Sequence, residues 1–127
     1  MRDDVSIEKV SILIVDDEPS VGDALKLVLE SNAYHVVLAA NGSEAIEQAR
    51  NQCFAFGIVD LYLPDICGFQ VITNIHDHQP GVPILLVSGH GTPQLFAKAM
   101  RLGAIGGLAK PFSPDAILTR VTTALGP

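Results

Sequence analysis

Ile12-Leu13-Ile14-Val15-Asp16-Asp17 is a run of four apolar, mostly β-branched residues halted by two carboxylates. The same pattern returns three times. Phe56-Gly57-Ile58-Val59 ends at Asp60, Pro83-Ile84-Leu85-Leu86-Val87 ends at Ser88, and Ala104 to Ala109 ends at Lys110. His35 to Ala39 is a fifth, weaker run. Apolar runs this short, bounded by turn residues, predict strands buried on both faces.

Between the runs lie stretches of helical period. Pro19 suits the first turn of a helix that puts Val21, Ala24, Leu25, Val28 and Leu29 on one face. Asn41-Gly42-Ser43 carries turn and capping chemistry before Ala45, Ile46 and Ala49. Pro64 and Gly68 break the chain ahead of a helix marked by Phe69, Ile72 and Ile75, and Gln79 to Pro83 reads as a loop. Thr92-Pro93 opens a helix with Leu95, Phe96, Ala99 and Met100 inward, and Ser113-Pro114 opens the last, with Ile117, Leu118, Val121 and Leu125 inward. Five strands alternating with five helices predict an α/β fold, a parallel sheet covered on both faces.

Composition agrees with this picture. The 127 residues are 48% apolar and 17% charged, which fits one domain, 1–127, with a core over about 9–125. The net charge is −6 and the eight basic residues are scattered, so no phosphate-backbone surface for nucleic acid is expected. Cys53 and Cys67 match no zinc or redox spacing and are read as reduced thiols. His76 and His78 stand two apart on a helix and share no face, so no metal site is expected there. No apolar stretch is long enough for a membrane span, and the polar, acidic start is unlike a signal peptide. The expectation is a soluble, cytoplasmic protein.

The strand ends hold the chemistry. In such a sheet they lie along one edge, and ligands gather where the strand order reverses. Asp16, Asp17, Asp60, Ser88 and Lys110 should therefore converge. Three carboxylates repel one another more than one lysine can offset. Hard oxygen ligands with open positions suit Mg²⁺. A divalent cation and a lysine together stabilise a transferring phosphoryl group while a carboxylate attacks it. Asp60, alone at its strand end, is the candidate nucleophile. The Asp16-Asp17 pair is the candidate metal anchor, and Ser88 can hydrogen-bond a phosphoryl oxygen. Taken singly, each has a plainer role; Asp17 would serve equally as a helix N-cap.

At these residues the chain resembles the receiver domains of bacterial two-component response regulators. Ile12 to Pro19 resembles their opening. Asp60 to Gly68 is similar to their phosphoacceptor loop, with Pro64 four and Gly68 eight residues after the aspartate. Ser88-Gly89-His90-Gly91, and Gly103-Ala104 through Lys110-Pro111-Phe112, match the two later motifs.

The resemblance implies a flavodoxin-like doubly wound sheet of order 2-1-3-4-5. It implies an aspartyl phosphate on Asp60, with Ser88 and Lys110 as its partners. Mg²⁺, or Mn²⁺, would be bound by Asp17, Asp60 and the backbone carbonyl of Tyr62, with Asp16 acting through a metal-bound water. A cis Lys110-Pro111 bond is also implied. The phosphoryl donor would be a sensor histidine kinase or a histidine phosphotransfer protein. A downstream protein or an output domain outside this chain would read the signal, and a homodimer is compatible. On this reading the chain is a signalling switch, not an enzyme. Tyr62 and His90 would flank the phosphoryl group and influence its hydrolysis, His90 reading equally well as a plain polar loop residue.

Two other functions compete. A haloacid-dehalogenase-type phosphatase also uses an aspartyl phosphate, but it carries a second aspartate where this chain has Tyr62. A degenerate receiver would bind partners without phosphorylation. One departure favours it: receivers usually carry Tyr or Phe three residues before the lysine, and Gly107 stands there. Glycine has no ring to swing. The surface would then respond through backbone shifts, or a partner helix would fill the groove.

Overall fold

The computed structural model describes residues 10–126. Lys9, at the expected edge of the core, and Pro127 lie outside that range. Ten elements alternate: β1 (Val10–Val15), α1 (Pro19–Glu30), β2 (Tyr34–Ala39), α2 (Gly42–Asn51), β3 (Phe56–Asp60), α3 (Gly68–His78), β4 (Ile84–Ser88), α4 (Pro93–Arg101), β5 (Gly106–Ala109) and α5 (Pro114–Leu125). The sheet is parallel throughout, in the order β2-β1-β3-β4-β5. This is the flavodoxin-like order implied above. The fifth strand is shorter than expected, starting at Gly106 rather than Ala104.

Alternate residues of each strand feed two cores. On one face Leu13, Val15, Val59, Ile84 and Leu86 pack under α2, α3 and α4 through Ala45, Ala49, Val71, Ile72, Ile75 and Ala99. On the other, Ile12, Ile14, Phe56, Ile58, Leu85 and Val87 pack under α1 and α5 through Leu25, Leu29, Ile117 and Val121. Two residues placed on inward helical faces point out instead. Ala24 is exposed, and Met100 is more than half exposed. The stripe of α4 is narrow, and Ala99 is its only fully buried residue. Among the described residues no helix is long and apolar enough to cross a membrane.

Side chains cap most helices as their sequences indicate. Asn41 accepts from Glu44 N, Thr92 from Leu95 N and Ser113 from Ala116 N. Helix α1 differs. Its N-cap is Glu18 and no side chain caps it, which removes the capping role considered for Asp17.

The loop from β3 to α3 is held from both sides. Gly68 donates its N–H to Leu61 O at 2.8 Å. A Cβ there would overlap the Asp60 carbonyl oxygen and lie 2.8 Å from Leu61 Cα. Backbone cannot step aside as a side chain can, so the position requires glycine. Asp65, at the tip of the same loop, reaches across to α2. Its Oδ1 accepts from Gly42 N at 2.8 Å, and its Oδ2 from Ser43 N at 2.9 Å and Ser43 Oγ at 2.8 Å. A carboxylate thus satisfies orphan N–H groups at the positive end of a helix. Those backbone donors, Gly42 first, hold the Asp65 carboxyl well below the usual carboxylate range.

Gly68→Ala is expected to cost roughly 2 kcal/mol by overpacking, read from denaturant melts. Gly81→Ala, where a Cβ meets nothing within 4 Å, should change stability by under about 0.5 kcal/mol. Asp65 binds its proton less tightly folded than unfolded. Its contribution is therefore complete above about pH 4 and drains away as the pH falls below that. Asp65→Ala should lower the melting temperature near neutrality, and its gap from the wild type should narrow in acid. A gap independent of pH would contradict this role.

Candidate phosphoacceptor site

The strand order reverses between β1 and β3, and there the carboxylates meet. Val15 pairs with Val59, so Asp16 and Asp60 each stand one residue further on adjacent strands. Asp16, Asp17 and Asp60 each offer an oxygen, all within 4.8 Å of one another. Asp16 and Asp60 are buried, while Asp17 is exposed at the rim.

Lys110 enters from the end of β5. Its Nζ lies 2.8 Å from Asp16 Oδ2 and 2.9 Å from Asp60 Oδ2. A third carboxylate, Glu18 Oε1, is 2.9 Å away. Sequence reasoning missed Glu18. It follows the paired aspartates directly, but only the folded geometry shows that it meets a lysine 92 positions on. The Lys110-Pro111 bond is cis, as the resemblance implies.

Burial pushes the Asp60 carboxyl above its ordinary pKa, and the hydrogen bond and charge of Lys110 only partly reverse this. Burial would pull the Lys110 ammonium down, but its contacts with Asp16, Asp60 and Glu18 outweigh that and hold it well above the usual lysine range. Lys110 therefore stays charged.

The remaining oxygens are oriented by backbone. Asp16 Oδ1 accepts from Glu18 N at 2.9 Å, and Asp60 Oδ1 from Tyr62 N at 3.3 Å. Asp16 Oδ2 is buried, and its close polar neighbour is the Lys110 ammonium at 2.8 Å. Three carboxylates offering oxygens within 4.8 Å of one another, with a single ammonium among them, are the hard donor set a divalent cation prefers. The residues present fit Mg²⁺.

Ser88 is fully buried at the end of β4, and its Oγ accepts from His90 N at 3.1 Å. The Tyr62 ring, about half exposed, meets the His90 ring edge-on at 6.1 Å between centroids. Tyr62 follows Asp60 by two residues and His90 follows Ser88 by two, so the pair joins the ends of β3 and β4. The structure brings together Asp16, Asp17, Asp60 and Lys110, with Tyr62 beside Asp60 and Ser88 at the neighbouring strand end. Cys67 lies apart as the N-cap residue of α3, its N–H donating to Gln70 Oε1 at 3.1 Å.

The vacancy expected at Gly107 is already filled. The Phe96 ring of α4 occupies the place a β5 side chain would take; a Cβ on Gly107 would overlap it, with Cε1 2.7 Å away. The space beside Gly107 is therefore taken by a ring of this chain.

Known proteins share this fold. The family described as "Response regulator receiver domain" matches residues 12–122. The transcriptional regulatory protein SrrA of Staphylococcus aureus is 36% identical over 114 residues, covering 90% of this chain and 47% of that protein. The chain thus spans about half the length of the curated relatives it matches. A CheY-like receiver domain protein from Methanospirillum hungatei superposes with a TM-score of 0.87 at 28% identity, over 91% of this chain and 93% of that one. A response regulator from Burkholderia pseudomallei, solved with a phosphorylated aspartic acid, a calcium ion and citrate, gives 0.84 at 32% identity, over 91% of this chain and 69% of that one. On fold, strand-end chemistry and sequence together, the chain belongs to the response regulator receiver domain family.

Proposed function

We propose that the chain is a phosphorylation switch in which Asp60 accepts a phosphoryl group. The observation that carries this reading is the convergence of Asp16, Asp17 and Asp60 within 4.8 Å, with Lys110 Nζ 2.9 Å from the Asp60 carboxylate. The Burkholderia pseudomallei relative, with its phosphorylated aspartic acid and bound calcium ion, supports it.

Asp16, Asp17, Asp60 and the Tyr62 backbone carbonyl would hold Mg²⁺ or Mn²⁺, with Asp16 contributing through a water. When bound, the metal supplies positive charge that offsets carboxylate repulsion and developing phosphoryl charge. An Asp60 oxygen attacks phosphorus while the bond to the donor nitrogen breaks and the donor imidazole leaves. Lys110, fixed by Asp16 and Glu18, pairs with a phosphoryl oxygen without reorganising. Ser88 turns its hydroxyl proton toward the same group. Tyr62 and His90 govern water access and so the lifetime of the aspartyl phosphate.

The donor is a phosphohistidine on a sensor histidine kinase or histidine phosphotransfer protein in the cytoplasm. A downstream protein or an output domain outside these residues reads the result. The chain acts on no substrate beyond its own phosphoryl group. A phosphorylation-independent interaction domain is the second reading, favoured by the absent β5 aromatic at Gly107.

With acetyl phosphate and Mg²⁺, the wild type is expected to gain about 80 Da, and Asp60→Asn to gain nothing. Lys110→Ala should slow the gain by about a hundredfold. An unmodified wild type, or a gain that survives in Asp60→Asn, would refute the assignment.

A further inference from the structure

Two glycines flank one aromatic ring. A Cβ built on Gly107 in β5 would overlap the Phe96 ring, and a Cβ on Gly91 would meet the same ring with Cε2 at 2.7 Å and Cε1 at 2.8 Å. The ring, partly buried, fills the space between the β4–α4 loop and the outer part of the sheet. Both positions must lack a side chain for Phe96 to sit there.

The connection from this ring to the site is short. Ser88 Oγ accepts from His90 N, and Gly91 is the next residue. Thr92 then caps α4, its carbonyl accepting from Phe96 N at 3.0 Å. Gly107 pairs with Leu86, two residues before Ser88. Any displacement of Ser88 toward Asp60 pulls on the loop whose glycine touches the ring. The ring packs directly against Gly91, so a movement of that glycine changes the ring's packing.

Helix α4 also buries fewer residues than the other helices. Ala99 is its only buried residue, while Met100 and the adjoining Leu102 are exposed. Lys98 Nζ rests over the Phe69 ring of α3 at 4.8 Å, an exposed contact that exchanges readily. Few buried contacts mean a low cost of local movement.

We propose that Phe96 is the conformational relay of this receiver: an aromatic supplied by α4, in place of one on β5, that carries the state of Asp60 to the exposed α4–β5 surface. The inference rests on the phosphoacceptor reading and adds the route by which the signal leaves the site. It gives Gly107 a positive role, because the glycine makes room for a ring arriving from the helix.

The test is amide NMR with beryllofluoride and Mg²⁺ on wild type and Phe96→Leu. In the wild type, amides near Asp60 and along α4 and β5 should both shift. In Phe96→Leu the shifts near Asp60 should remain and those along α4 should be lost. Equal α4 shifts in the two proteins overturn the relay and leave the phosphoacceptor reading standing. A wild type whose Tyr62 and Lys110 amides ignore the ligand overturns the phosphoacceptor reading and the relay together.

A swap gives a check that does not depend on Phe96→Leu folding well. Gly107→Phe alone should lower the melting temperature through overlap with Phe96. Adding Phe96→Ala should recover most of that loss and restore the α4 response. A double variant no more stable than Gly107→Phe shows that the two positions do not share one space, and the relay fails.

Discussion

Three carboxylates are held against their mutual repulsion at the point where the strand order reverses. At separations within 4.8 Å, each pair of full charges repels by at least about 3.5 kcal/mol in an effective dielectric of about 20. Lys110 offsets part of this for Asp16 and Asp60, which it touches, and not for Asp17, which it does not. Much of the surrounding structure serves to hold this arrangement. The parallel register puts Asp16 level with Asp60, backbone N–H groups fix one oxygen of each, and Gly68 lets the following loop fold back against Asp60. A fold selected for stability alone would not place these charges together.

The sheet and the convergence of the candidate residues at its strand ends were legible in the sequence because both depend on local pattern. A strand buried on two faces must be apolar along its length, and its first polar residue marks the edge where chemistry is possible. Ile12 to Asp17 and Phe56 to Asp60 state this without reference to anything distant. The same applies to the caps at Asn41, Thr92 and Ser113, where side chain and backbone are three residues apart.

What stayed hidden depends on contacts between distant segments. Asp65 reads as an ordinary loop aspartate until α2 is seen to lie above it, 22 residues back in the chain. Gln79 reads as a loop residue, yet its amide donates to Ala49 O and Gln52 O, tying the end of α3 to the end of α2. Gly107 shows a missing ring plainly; that Phe96 replaces it from another element is visible only in three dimensions. Periodicity also overstated α4, because a helix at the sheet's edge covers less of the sheet than a central one. Met100 faces outward there for that reason.

The central claim is that the carboxylate cluster is a strained cation site, and the dependence of thermal stability on Mg²⁺ tests it most directly. A ligand that binds only the folded state raises the melting temperature with its concentration. Wild-type protein should show that rise. Asp17→Asn, relieved of one charge, should melt higher than wild type without Mg²⁺ and respond weakly to its addition. A wild-type melting temperature indifferent to Mg²⁺, together with an Asp17→Asn variant no more stable than wild type, would contradict the account.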